Sequence, residues 1–309
     1  ARMWVTAQGP KLTVSTNARN LAGYLTVGDS YWRENVDMAA WCASIYKASD
    51  PELSRELMYT WDRMGSALGG SYSINILMDN DPTLQRQNPK LGSVYLDNVG
   101  YTYFRQNFDV LGKENVILIP NSPGYGNKKQ PIHDHSDRGS FSYIANGVPM
   151  SLDSGMGSYF GSDSAFWRSS RSHNEILFWS DQQGWLSNAG GDGNSYTSDT
   201  AKTKNYDSKT VDVSFSQELD RATVQVNPAQ RAGKDTNMQW NRHFAYIKNG
   251  INALIFWDEV LNTRKSQFNL YMASTSYSQN NNIVTANMNG NMQMEVHMLN
   301  AENPDISHM

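Results

Sequence analysis

Cysteine is almost missing from this 309-residue sequence, with Cys42 its sole example. A single thiol excludes an internal disulfide framework, and it suits a secreted bacterial protein as well as a cytosolic one. Cys42 lies between Trp41 and Ala43 in a helical pattern, so it reads as a buried structural thiol. Long apolar runs are missing too. No stretch of about 18 apolar residues occurs, so no membrane span is expected, and the start shows no signal-peptide pattern. The sequence opens on Ala1 without an initiator methionine, as expected of a mature form, a fragment or the ordered part of a longer chain. Basic charge is scarce: 26 Lys and Arg face 30 Asp and Glu, for a net charge of -4. No basic stripe offers itself to a nucleic acid. Histidine is scarce as well, with 6 residues. What remains is ample core material, 39% hydrophobic with nine tryptophans, enough for one large domain or two ordinary ones.

Two helices are expected near the start. Asp29 is a plausible cap for the first, in which Trp32, Val36, Ala40, Ala43 and Tyr46 recur at helical spacing through about Lys47. The second begins at "SDPEL", with Asp50 as cap, Pro51 at the first helical position and Glu52 in the first turn. Leu53, Leu57, Trp61 and Met64 form its stripe, and Gly69-Gly70 should stop it. Such a helical hairpin must bury its stripe on something larger. A short helix is expected over 71–79. From about residue 91 the pattern turns to β. Runs at 93–105, 115–120, 140–152, 175–180, 210–216 and 223–227, and on to the end, alternate or carry β-branched and aromatic residues. Asn-Gly at 146–147, 249–250 and 289–290 predicts hairpins, because both central residues must take positive φ. The fold class is therefore α+β: a helical segment over 1–90, then a large antiparallel β-sandwich over 91–309. The Gly-, Asn- and Ser-rich stretch 181–209 reads as a long surface loop, either for binding or without a role.

The chemistry concentrates in "PIHDHSDRGSFSYIANGVPMSLDSG", residues 131–155. His133 and His135 stand two apart and share a face if extended. The hairpin that follows returns Asp153 towards His135, and "RSSRSHNEILFW" brings in His173. Two imidazoles and a carboxylate suit Zn²⁺ with an open fourth position. Histidines near acids are also often just satisfied hydrogen-bond partners, and spacing alone leaves both readings open.

The same residues resemble the heparinase II/III-like polysaccharide lyases. That family's His-x-His-x-Asp, Ser-Phe, small-residue turn, Asp-x-Gly with a following Tyr, and Arg-Ser/Thr-x-x-His-Asn elements all occur here, in order. The match is most specific over residues 131–178. "VGYTYFR" and "NALIFWDEV" are similar to flanking strands, more loosely. The resemblance implies a helical α/α toroid followed by an antiparallel β-sandwich, and cleavage of uronic-acid polysaccharides, alginate or glycosaminoglycan in type, by β-elimination. It implies zinc, more structural than chemical, on His135, Asp153 and His173. It places His133 near the substrate as a catalytic group and Tyr159 as base or acid. Arg168 and Arg171 could depress the tyrosine's pKa or hold a substrate carboxylate. Asn174 is placed against substrate or backbone, and Asp137 could orient a histidine. A secreted or periplasmic bacterial location goes with this, and an anionic polysaccharide is the expected partner.

One departure stands out. The family carries several hundred residues of toroid, and the 90 or so here suffice for three or four helices at about 15–25 residues each. A missing N-terminal helical portion or a homo-oligomer is expected. Tyr24, Tyr31 and Trp32 are the helical-region aromatics that could reach a cleft, with core packing as the alternative. A non-catalytic carbohydrate-binding β-domain and a metal-dependent hydrolase using zinc-bound hydroxide are the competing functions.

Overall fold

The computed structural model describes residues 1–12, 24–25, 37–66, 74, 81–121, 135–153, 155, 164–167, 169–180, 184–186, 208–226, 239–261 and 266–299. Among the described residues the chain opens with helices α1 (Arg2–Thr6), α2 (Asp37–Tyr46) and α3 (Pro51–Arg63). The cap of α3 is the expected one, with Asp50 Oδ1 accepting from the Leu53 N–H at 2.9 Å and Pro51 opening the helix. Its stripe is buried, and it packs on Val5 of α1 and on Ala39, Ala40, Cys42 and Ala43 of α2. The end differs from expectation. The helix stops at Arg63, and Gly65 at φ 94° takes the chain away, well before Gly69-Gly70. A glycine with positive φ just past the last helical residue is a common helix stop, and Gly65 is the first glycine to offer one. Residues 29–36 and 71–79, Ile74 apart, lie outside the described residues.

All strand pairings among the described residues are antiparallel. The first sheet runs in sequence order, β1 (Val94–Leu96), β2 (Tyr101–Gln106), β3 (Asn115–Pro120), β4 (Ser142–Ala145) and β5 (Val148–Ser151). The run at 93–105 is thus two strands, parted by a turn that closes on Gly100 at φ 72°. The second sheet has the order β11 (Ala253–Leu261), β10 (Gln239–Ile247), β9 (Leu219–Val226), β8 (Lys209–Phe215). Two three-stranded sheets complete it: β12 (Ser266–Phe268), β6 (Ile176–Ser180) and β7 (Gly184–Leu186), then β13 (Ser274–Asn280), β14 (Ile283–Met288) and β15 (Gln293–His297). The stretch 181–209, expected as loop, therefore contains β7 and the first residue of β8.

The main core lies between sheets. Phe104, Ile117, Ile119, Phe141, Tyr143 and Met150 from the first sheet face Val224, Phe244 and Tyr246 from the second, with Ala286 and Met288 of β14 closing one side. The opposite face of the first sheet carries Tyr103, Val116, Leu118 and Ile144 against Leu25, Ala7 and Leu12 of the N-terminal segment. Being covered on both faces, β3 is buried throughout and reads as a continuous apolar run, NVILIP. β9, with one face outward, alternates. A polar joint holds the helices to the sheet. Arg63, almost wholly buried, pairs with the equally buried Glu114 and donates to the Gly9 carbonyl at 2.8 Å. Arg105 of β2 donates to the carbonyls of Thr6 and Gln8.

Candidate functional site

Three chain segments converge at one end of the first sheet. The β4–β5 hairpin turns on Asn146 and Gly147, whose φ values of 51° and 72° are both positive, as a tight antiparallel turn requires. It returns Asp153 to the strand it left. The Asp153 N–H donates to Ser142 Oγ at 2.9 Å, and the Gly155 N–H donates to Asp153 Oδ1 at 3.0 Å. The third segment is a 3₁₀ turn, Ser170–Ser172. Ser170 Oγ donates to the Ser136 carbonyl at 3.0 Å, and the Asn174 N–H donates to Ser140 Oγ at 3.1 Å. These bonds hold His173 beside the 135–142 segment.

The outcome is a buried cluster. His135 and His173 are 0% exposed and Asp153 is 5% exposed. His173 Nδ1 and Asp153 Oδ2 are 2.7 Å apart, and the two imidazole centres are 5.4 Å apart. Burial opposes charge on His173. The Asp153 carboxylate and its hydrogen bond outweigh burial, Asp137 and Glu175 add to them, and the imidazole is raised to about 9. Burial likewise opposes charge on Asp153, but the His173 charge and hydrogen bond, the Gly155 N–H and His135 keep its carboxyl below the usual value. The pair is thus a buried ion pair near neutral pH, with the Nδ1–H donating to the carboxylate.

The donor set suits zinc in kind: two imidazoles and one carboxylate. Two imidazoles on one tetrahedral ion, with bonds of about 2.0–2.1 Å, hold their ring centres about 5.2 Å apart. The observed 5.4 Å is close to this. For Asp153 to share an ion with it, His173 must bind through Nδ1, the nitrogen that faces Asp153; Nε2, on the other side of the ring, is buried with no hydrogen-bond partner among the described residues and is not the ligand atom in this arrangement. The cluster is nevertheless closed on itself. Among the described residues no group of three or more His, Cys, Asp or Glu stands ready as an ion cage. Two ligands on one tetrahedral ion lie about 3.3 Å apart, so the 2.7 Å Asp153–His173 contact must open by about half an ångström. His173 must also release its proton. With those two changes the residues fit the metal.

The other expected residues divide. His133, Tyr159 and Arg168 lie outside the described residues, as do Tyr31 and Trp32. Arg171 is exposed, and its carbonyl accepts from the Tyr271 hydroxyl and from Asn269 Nδ2. Asn174 takes the backbone alternative. It is 0% exposed, its Nδ2 donates to the Phe141 carbonyl at 2.7 Å, and its Oδ1 accepts from the Tyr271 N–H at 2.6 Å. It clamps the two ends of the hairpin to the chain before β13. Asp137 is buried and acts on His173 through its field. The Tyr24 hydroxyl donates to the Trp4 carbonyl at 2.6 Å, which makes it a packing residue. Sequence reasoning missed the brackets: Ser140 and Ser142 facing Asp153, Ser170 facing Ser136, and Arg242. Serines spaced two apart in "RGSFSY", on a strand otherwise apolar, were the available signal.

Residues 88–275, more than half of the chain, match the family described as Heparinase II/III-like, C-terminal. No curated protein matches the sequence. Two solved structures share the fold. A heparan sulfate lyase, HepC from Pedobacter heparinus, superposes with a TM-score of 0.61 at 16% identity, over 91% of this chain and 37% of its own. A heparinase III superposes with a TM-score of 0.62 at 15% identity, over 96% of this chain and 39% of its own. The chain thus spans less than two-fifths of the length of either. No helix among the described residues is long and apolar enough to cross a membrane.

Proposed function

Because the chain belongs to the heparinase II/III-like family through that family's C-terminal domain, we propose that it is the β-domain portion of a polysaccharide lyase. It acts on a uronic-acid-containing anionic polysaccharide by β-elimination and leaves an unsaturated uronate end. A helical toroid completes the cleft, and the location is secreted or periplasmic. The observation that carries this reading is the convergence of His135, Asp153 and His173 in one buried cluster, with His133 two residues upstream of His135.

The chemistry asks for three things. The C5 proton of the uronate is weakly acidic, so its carboxylate must be neutralised to stabilise the enolate-like transition state. A base must take that proton, and an acid must protonate the departing O4. In this reading Arg171, exposed in the middle of its turn, and Arg168 neutralise the carboxylate, while His133 and Tyr159 serve as the acid–base groups. A tyrosine base needs its pKa lowered from about 10 by neighbouring positive charge, and the two arginines supply it. Zinc, when bound, supplies a fixed positive charge and a cross-link between the hairpin and the 170–174 segment. The chain's own part is to aim His133 from the rigid His135 anchor.

The test is product chemistry by the full-length protein, toroid included, on alginate, heparan sulfate, chondroitin and hyaluronan. A lyase generates the ultraviolet absorbance of an unsaturated uronate on at least one of them. A metal-dependent hydrolase generates reducing ends without that absorbance, and a carbohydrate-binding domain generates neither. Either of those results overturns the proposal.

A further inference from the structure

Arg242 lies on β10, in the second sheet, outside every segment that carries the cluster. It is 0% exposed, and a buried cation is costly unless its donors are matched. Here the matching is directional. Nε donates to Asp258 Oδ1 at 2.7 Å and Nη2 to Asp258 Oδ2 at 2.9 Å, a two-pronged pairing that fixes the guanidinium plane. Asp258 Oδ1 is itself held by the Trp240 indole N–H at 2.6 Å. The rings of Trp240, Phe244, Phe256 and Phe268 surround the guanidinium at 4.7–5.9 Å from their centres. The one nitrogen left over, Nη1, donates to two backbone carbonyls, Gly139 at 2.9 Å and Asn174 at 2.7 Å.

Those two carbonyls belong to the two segments whose separation defines the site. Gly139 lies four residues after His135, and Asn174 directly follows His173. Ser140, next to Gly139, also touches Asp153 and the Asn174 N–H. Gly139 sits at φ 80°, and a Cβ there would meet Val226 at 3.1 Å and Trp240 at 3.2 Å. The backbone thus approaches the second sheet as closely as glycine allows, which is what brings its carbonyl within reach of Nη1. We propose that Arg242, oriented by Asp258, is the positioning residue of the His135–Asp153–His173 cluster: one guanidinium nitrogen, gripping both carbonyls, sets the distance between the two imidazoles. Arg242 touches none of the three side chains. It acts through the backbone that carries them, and a lysine cannot substitute because an ammonium lacks the fixed fork.

This deepens the metal reading of the same site, and one of its two readouts is independent of that reading. The variants are Arg242→Lys and Asp258→Asn, with Leu53→Ala in the helical cluster as a control that destabilises the fold far from the site. The first readout is Zn²⁺ affinity by competition with a chromophoric chelator, together with the absorption spectrum of the Co²⁺-loaded protein. Both variants are expected to bind Zn²⁺ at least about tenfold more weakly and to change the Co²⁺ spectrum. The control should lower the melting temperature and leave both unchanged. The second readout is the Nδ1–H proton resonance of His173 in metal-free protein. It is expected to shift or broaden in both variants and not in the control. If the wild type binds no Zn²⁺, the metal reading fails and the second readout alone decides. Wild-type Zn²⁺ affinity and an unshifted resonance in both variants overturn the proposal, as does a loss no larger than the control's. If Arg242→Lys does not fold, Asp258→Asn decides, and failure of both to fold makes Arg242 a general core residue and overturns its assignment to the site.

Discussion

His173→Gln should change how the stability of the metal-free protein depends on pH. In the unfolded chain the imidazole titrates at its ordinary 6.5, and in the folded chain it is raised to about 9. Burial works against the charge, so the rise measures how far Asp153, Asp137 and Glu175 outweigh it. A group held above its unfolded value stabilises the fold fully below the unfolded pKa and loses that contribution as pH rises through the folded one. The window therefore runs from about pH 6.5 to about pH 9. At about 1.4 kcal/mol per unit, the contribution is about 3 kcal/mol. That is a large part of the 5–15 kcal/mol typical of a folded domain. Asp153 bounds the window on the acid side. Its carboxyl is held below the usual value, so its contribution is present above the unfolded pKa and is lost as pH falls through the depressed one. The assay is urea unfolding in the presence of a chelator, at steps from about pH 6 to about pH 9.5. The wild type should lose stability over that range, and His173→Gln, which cannot take the proton, should lose about 3 kcal/mol less. Parallel curves for the two proteins would refute the buried ion pair. Zinc reverses the trend, because the ion displaces the His173 proton and so binds more tightly as pH rises towards 9.

Glu114→Gln should destabilise the joint between helices and sheet by about 3 kcal/mol in urea unfolding. This is the low end for a broken buried pair, because Asp109 still accepts from Arg63 Nε at 3.2 Å. Gly139→Ala should cost about 1–3 kcal/mol in the same assay, since its φ is 80° and the added methyl would meet Val226 and Trp240. Asp50→Ala should cost about 1 kcal/mol by leaving the Leu53 N–H without its side-chain acceptor, and circular dichroism should show the loss confined to stability.

The parts of the fold legible in the sequence are those decided locally. Asp50, Pro51 and the Leu53–Met64 stripe specify α3 without reference to the rest of the chain. Asn146-Gly147 specifies the hairpin, and the hairpin is what brings Asp153 back to Ser142. The other two Asn-Gly pairs mark true strand connections but different loops. Between β10 and β11 the positive φ values fall on Gly250 and Asn252, and between β14 and β15 on Gly290 and Asn291. Loop length there follows strand register, which is a tertiary matter. The end of α3 falls earlier than the sequence predicts for a related reason. Gly65 and Gly69-Gly70 offer equivalent stop signals, and the apolar stripe runs out at Met64. The site shows the same division. Its three ligand-type side chains are visible by residue type and spacing. Arg242 is not, because it reaches Gly139 and Asn174 from 103 and 68 residues away. Residue type leaves Asn174 open to a substrate or a backbone role, because its partners Phe141 and Tyr271 lie 33 and 97 residues away.

The most direct test is the zinc content of the purified, Zn²⁺-equilibrated and dialysed protein by elemental mass spectrometry, set beside folded His135→Ala and His173→Ala variants. The cluster predicts about one ion per wild-type chain and almost none in either variant. A wild type that retains no zinc, or variants that retain as much as the wild type does, would contradict it.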